Sequence, residues 1–258
     1  MWRKIRIAVL LLILVLVAGR TLLDRYRTTS WKHAVSVGVF PLNADGSVAA
    51  TATVQGLTQA ELQPIADFMT REAQRYGVTL SAPVTVRIYD APAALPPQLA
   101  PGASVLARLS WSLRTRWYCW RVINALPRSA PAIALFLLYH DPATNALLPH
   151  SSGMQRGLMG IVHVYASRDA MAENNIVTAH ELLHTFGATD KYSPATNAPL
   201  YPDGYADPLQ SPRFPQTRAE IMAGRIAISA NEQVMAANFD EVVVGPLTAR
   251  EIGWSAAR

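Results

Sequence analysis

The sequence predicts an α+β fold, a sheet packed on helices, set behind one N-terminal membrane helix or signal sequence. Stretches that alternate in polarity and are rich in β-branched residues are interleaved with stretches of helical period. An uninterrupted apolar run, Ile7–Gly19, follows Arg3, Lys4 and Arg6. No repeat or low-complexity tract points to a solenoid. At 258 residues, half of them hydrophobic, the chain can hold one or two domains and bury a sizeable core.

The first element is the apolar run. As a helix it spans about 20 Å, short for a bilayer core and suited to the h-region of a secretory signal. Cleavage after Gly19 would leave Arg20 directly behind the cut. An uncleaved anchor is the competing reading and the favoured one: Thr21–Leu23 extend the apolar length to residues 7–23, and Arg6 and Arg20 can snorkel. The anchor predicts a membrane-tethered protein and the cleaved signal a secreted one. Both place the remainder outside the cytoplasm. Residues 20–32 read as a polar connector, so residues 1–32 form the targeting segment and 33–258 a single domain.

His33–Leu42 alternates and reads as a strand, closed by a turn at Asn43–Gly46. Thr58 with Glu61 is a capping-box pattern opening a helix to about Tyr76, stopped by Gly77. Pro83–Asp90 is a second strand, followed by a Pro/Ala-rich loop. Ala103–Val122 is a helix whose Leu106, Leu109, Leu113, Trp117 and Trp120 share one stripe. Its arginines, with no acid between Asp90 and Asp141, allow a basic aromatic surface near a membrane or cleft. A helix packed on two sides with solvated arginines is the preferred reading. Pro131–Asp141 is an apolar strand buried on both faces. Gly160–Asp169 alternates, a helix covers Ala172–Phe186, and Thr248–Trp254 closes the chain as a short helix.

Charge and cysteine content exclude some functions. Residues 1–32 carry seven Lys/Arg and one Asp, while residues 33–258 carry sixteen Lys/Arg and seventeen Asp/Glu. The domain is thus near neutral, which argues against a nucleic-acid partner. A single cysteine, Cys119, excludes an internal disulfide framework and reads as a buried small hydrophobe.

The chemistry-bearing segment is HELLHTFGATD, His180–Asp190. Histidines at i and i+4 stand one above the other on a helix, so His180 and His184 can reach one metal ion. Glu181 is rotated about a quarter turn, beside the metal, where a general base for an activated water belongs. Gly187 can take the left-handed conformation that ends the helix. The reversed chain can then bring Asp190 back as a third ligand. His33, His140, His150 and His163 lack partner spacing and read as surface or structural.

This segment resembles the metzincin branch of zinc metallopeptidases, whose pattern is H-E-x-x-H-x-x-G-x-x-H followed by a methionine-containing turn. The chain departs from it in having Asp190 at the third ligand, as in snapalysin-type members. Met222, in AEIMAGR, follows at the order and spacing of the methionine turn. The resemblance covers about His180–Met222. It implies a zincin/metzincin-like domain with a mixed twisted sheet, one catalytic Zn2+, and endopeptidase activity on peptides or proteins through a metal-activated water. It also implies that the strand before the zinc helix, Ile161–Ser167, is the sheet edge to which extended substrates add.

The Pro-rich stretch Lys191–Arg218 would wall the cleft. Its Tyr192, Tyr201 and Tyr205 are candidates to hydrogen-bond an oxyanion. Asp203 and Asp207 are candidate calcium ligands, though acids of this kind more often form turns. An inactive zinc-binding or interaction module of the same fold is the alternative function, against which the intact Glu181 speaks.

Overall fold

The structure is a computed structural model, which describes residues 2–100, 102–126, 129–155 and 157–255. The first helix, α1, covers Trp2–Thr29. Its most apolar window has a mean hydropathy of 2.4, and none of that window is buried in the protein. By length and composition it can cross a membrane.

The stretch read as a polar connector is mostly the end of this helix. Thr28 and Thr29 return their hydroxyls to backbone carbonyls one turn back, so a polar sequence continues the ladder. Trp31 then enters the core. Its ring lies 5.0 Å from Phe186 and 5.7 Å from Trp254, and its indole N–H donates to the Ile252 carbonyl at 2.7 Å.

Next come β1 (Val35–Asn43), α2 (Val48–Gly56), α3 (Gln59–Arg75), β2 (Val84–Ile88) and α4 (Val105–Asn124). α2 was not expected: its sequence, VAATATVQG, has no amphipathic period and many β-branched residues. It starts because Ser47 caps it, accepting from the Ala50 N–H at 3.0 Å. α3 starts at Thr58 as expected, with the Thr58 N–H donating to Glu61 at 2.7 Å.

After α4 follow β3 (Ile133–His140), β4 (Ser152–Met154), β5 (Met159–Tyr165) and α5 (Met171–Phe186). Five strands form one twisted mixed sheet in the order β2-β1-β3-β5-β4. All neighbours are parallel except β4 with β5, which pair antiparallel with Gly153 opposite Gly160. The strand before α5 is therefore not the edge. β4 covers it, a three-residue strand with no readable period. β3 sits mid-sheet and all eight of its residues are buried.

Apolar side chains divide between the two sheet faces. Val37, Leu135, Leu137 and Val162 pack with Leu62, Phe68, Leu182 and Phe186 of α3 and α5. Phe40, Phe136, Leu138 and Ile161 pack with Tyr118 and Cys119 of α4. α4 therefore covers one sheet face with a single side of its own and is not packed on two sides. Its buried residues are Thr115, Tyr118 and Cys119, whereas Leu106, Leu113 and Trp120 are 78%, 69% and 63% exposed.

Beyond α5 the chain is mainly irregular. It carries the short strands β6 (Ala219–Glu220), β7 (Arg225–Ala227), β8 (Gln233–Met235) and β9 (Val242–Val243), then α6 (Pro246–Glu251). α6 begins earlier than Thr248 because Pro246 suits the first helical turn.

Candidate metal centre

α5 carries the first residues of the site. Ile176, Ala179, Leu182, Leu183 and Phe186 bury its inner face, and burial at this spacing fixes its rotation. The Asn174 side chain accepts from the Tyr165 N–H at 3.0 Å and donates to the Tyr165 carbonyl at 2.8 Å. That clamp ties the start of α5 to the end of β5. Edge strand β4 presses on the helix from the other side. A Cβ on Gly153 would stand 2.2 Å from the Glu181 carbonyl oxygen and 2.6 Å from His184 Cβ.

The helix ends at Gly187, whose φ is 108°. The left-handed cap turns the chain back, as glycine permits. The reversal brings Asp190 Oδ1 to 3.2 Å from both His180 Nε2 and His184 Nε2, which are 3.1 Å apart. Each imidazole donates its Nδ1–H to a backbone carbonyl: His180 to Ile221 at 2.9 Å and His184 to Ala188 at 2.8 Å. In the neutral tautomers this leaves both Nε2 lone pairs facing each other and a carboxylate oxygen. Three acceptors that close repel one another unless a cation lies among them.

The spacing fits zinc. Donors about 2.0–2.1 Å from a tetrahedral zinc stand about 3.3–3.4 Å from one another. Glu181 also belongs to the cluster, with an oxygen within 4.8 Å of the two imidazole donors. The Asp190 oxygen, at 3.2 Å from both nitrogens, completes a nearly equal-sided triangle with them.

The electrostatics separate the two carboxylates. Glu181 is 6% exposed. Desolvation raises its pKa above the ordinary carboxylate value, partly offset by the two imidazoles and by the Gly153 N–H. Its Oε2 has no hydrogen-bond partner, so one buried oxygen stands free beside the histidines. Desolvation works against the charge of Asp190 as well; where His180 and His184 carry a proton on Nε2 in place of an ion, their hydrogen bonds to Asp190 hold it well below the usual range. Burial thus favours a proton on Glu181, while the imidazoles favour the charged form of Asp190.

Met222 is fully buried and follows Ile221, the carbonyl partner of His180, in a turn built around Glu220. The Glu220 carboxylate accepts from the N–H groups of Met222, Ala223 and Gly245 and from the Thr248 hydroxyl, at 2.7–3.1 Å. The turn presents the Ile221 carbonyl to His180. Glu220 is therefore committed to structure. Lys191, just after Asp190, is buried and donates to Glu251 at 2.8 Å. Its backbone N–H donates to the Met222 carbonyl at 2.9 Å, which joins the returning loop to the turn. Acid–amide clamps of this kind have no sequence period to reveal them.

The three tyrosines separate. Tyr192 lies near the cluster, its ring centroid 6.4 Å from that of His180. Desolvation, then the charges of Asp190 and Glu181, raise its pKa. Tyr201 and Tyr205 pack on each other at 5.4 Å, with Arg213 3.9 Å over the Tyr201 ring and Phe214 6.0 Å from Tyr205. They stabilise the Pro-rich loop and do not line the cleft.

From that loop, Tyr192 and Asn197 reach the cleft. The remaining walls come from Leu148–Ser151, His163, Ile176 and Val177, and from Gly224, Arg225 and Met235. The stretch expected to wall the cleft thus supplies only part of one side. Asp207 accepts from the Leu209 N–H within its own turn. Neither it nor Asp203 belongs to a group of acids close enough to hold a metal among the described residues. His140 and His163 are buried and share a 2.8 Å hydrogen bond, a pairing their separation in sequence conceals.

No family model and no curated protein matches the chain. Among solved structures it is similar to the crystal structure of catalytic inactive OgpA from Akkermansia muciniphila in complex with an O-glycopeptide (glycodrosocin) substrate, with 11% identity and a TM-score of 0.38. The match covers 87% of this chain and 62% of that one, so the chain spans under two thirds of its neighbour's length. At that TM-score nothing of the neighbour's substrate carries over.

Proposed function

We propose that residues 33–258 act as a zinc-dependent endopeptidase of metzincin-like architecture, held outside the cytoplasm by α1. The observation that carries this reading is the triangle of His180 Nε2, His184 Nε2 and Asp190 Oδ1, with the unpartnered Glu181 oxygen beside it. His180, His184 and Asp190 would hold the ion. Zinc, when bound, supplies a positive charge that acidifies water and stabilises an oxyanion.

The protein's own groups do the rest. Ile221 and Ala188 carbonyls fix the imidazole tautomers, so Nε2 is the ligating nitrogen in each. Glu181 takes a proton from the attacking water and returns it to the leaving amine. Its burial raises its basicity toward that task. The Tyr192 hydroxyl is the candidate to donate to the oxyanion. An extended peptide would add to edge strand β4, whose central Gly153 sits against Glu181.

Glu181→Gln tests the mechanism, because it preserves size and removes the base. The variant should keep zinc and lose peptide hydrolysis by at least ~10²-fold. Undiminished turnover with zinc retained would defeat the general-base assignment. A wild-type protein that holds zinc but cleaves no member of a peptide library would support the inactive zinc-binding module.

A further inference from the structure

The outward side of α4 has the reverse of the usual surface pattern. Leu106, Leu109, Leu113, Trp117 and Trp120 follow one another at 3–4 spacing and are 58–78% exposed. They lie opposite the side that packs on the sheet through Tyr118 and Cys119. By helical spacing, Arg114 and Arg121 flank this stripe on one side and Arg116 on the other. The Arg121 guanidinium lies 5.1 Å over the Trp117 ring. No Asp or Glu occurs between Asp90 and Asp141, and Asp24 of α1 shares a cavity with Arg116.

α1 identifies the occupant. Leu14, Val17 and Leu22 of α1 line the same cavity as Arg116 of α4. α4 is therefore level with the body-side half of a helix apolar enough to span a bilayer. Leu and Trp on one face with arginines at its borders match an interfacial helix on anionic lipid.

We propose that this face of α4 is a second membrane contact, seated in the leaflet beside α1 with its flanking arginines on anionic headgroups. It would fix the orientation of the body on the bilayer, which a single span leaves free to rotate. The proposal is independent of the peptidase reading.

The test uses the full chain reconstituted in vesicles of phosphatidylcholine and phosphatidylglycerol. A spin label is placed at Leu113→Cys in a Cys119→Ala background. Leu147→Cys, 89% exposed in the loop near the metal cleft, is the reference. The Leu113 label should collide several-fold more with oxygen than with an aqueous nickel complex, and the Leu147 label should show the opposite order. Arg114→Glu with Arg121→Glu should lower the depth of the Leu113 label.

In unlabelled protein, brominated lipid should quench the wild type more than the Trp117→Phe/Trp120→Phe variant. Equal nickel accessibility at Leu113 and Leu147 would overturn the proposal. So would dipolar broadening between Leu113 labels, which would assign the face to a second copy of the chain.

Discussion

Two residues show how much of the site is built from outside the ligand set. Glu220 gathers four donors with one buried carboxylate. Glu220→Gln would set an amide N–H2 against N–H donors and leave at least one unsatisfied. It should cost about 1–3 kcal/mol, read as a lower urea midpoint. The turn would also release the Ile221 carbonyl from His180. Loss of such a supporting partner typically weakens metal binding about 10–100-fold, so zinc affinity should fall with the stability. An unchanged zinc affinity would mean that the turn does not orient His180. The meeting of His180, His184 and Asp190 was legible because i and i+4 define one helix face, and because Gly187 marks where the chain can reverse. Glu220 and Lys191 were not legible as supports. Each also works through partners more than twenty residues away, Gly245 for Glu220 and Glu251 for Lys191.

At the level of elements, β4 matters most for the site and was the hardest to read. Three residues, Ser-Gly-Met, carry no alternation, so the edge was assigned to β5. The structure shows why glycine is central to β4: a Cβ at 153 would meet backbone of α5, which cannot swing aside. Gly153→Ala should therefore destabilise the fold by about 1–3 kcal/mol. It should also reduce hydrolysis by more than the stability loss explains, because Glu181 would shift with the helix. Parallel urea melts and turnover measurements on folded protein check both; an alanine variant with wild-type stability and rate would show that the contact is slack. α4 was placed within a few residues by its period. The period tells which side chains share a face, but not whether protein or solvent meets that face. The preference for packing on two sides failed on that point.

For the whole molecule, the join between α1 and the body decides how the domain is held. Trp31 packs on Phe186 at the end of α5 and on Trp254 near the chain end. Trp31→Ala should cost about 3–5 kcal/mol and speed tryptic cleavage near Arg27, an exposed site at the end of α1. Unaltered cleavage would mean that α1 is held in another way. An alkaline phosphatase reporter fused after Arg258 should be active if the domain lies outside the cytoplasm, and inactive in the opposite topology. Four of the sheet's five strands and the helices α3, α4 and α5 were readable from apolar periods along the chain. The join was hidden because one tryptophan in a polar stretch looks like any exposed connector residue. The central claim remains the metal triangle, and metal analysis of the purified full chain after mild dialysis tests it most directly. Wild type should carry about one zinc per chain, with His184→Ala and Asp190→Ala each binding at least ~10-fold more weakly. A His184→Ala variant that holds zinc as tightly as wild type would contradict the account.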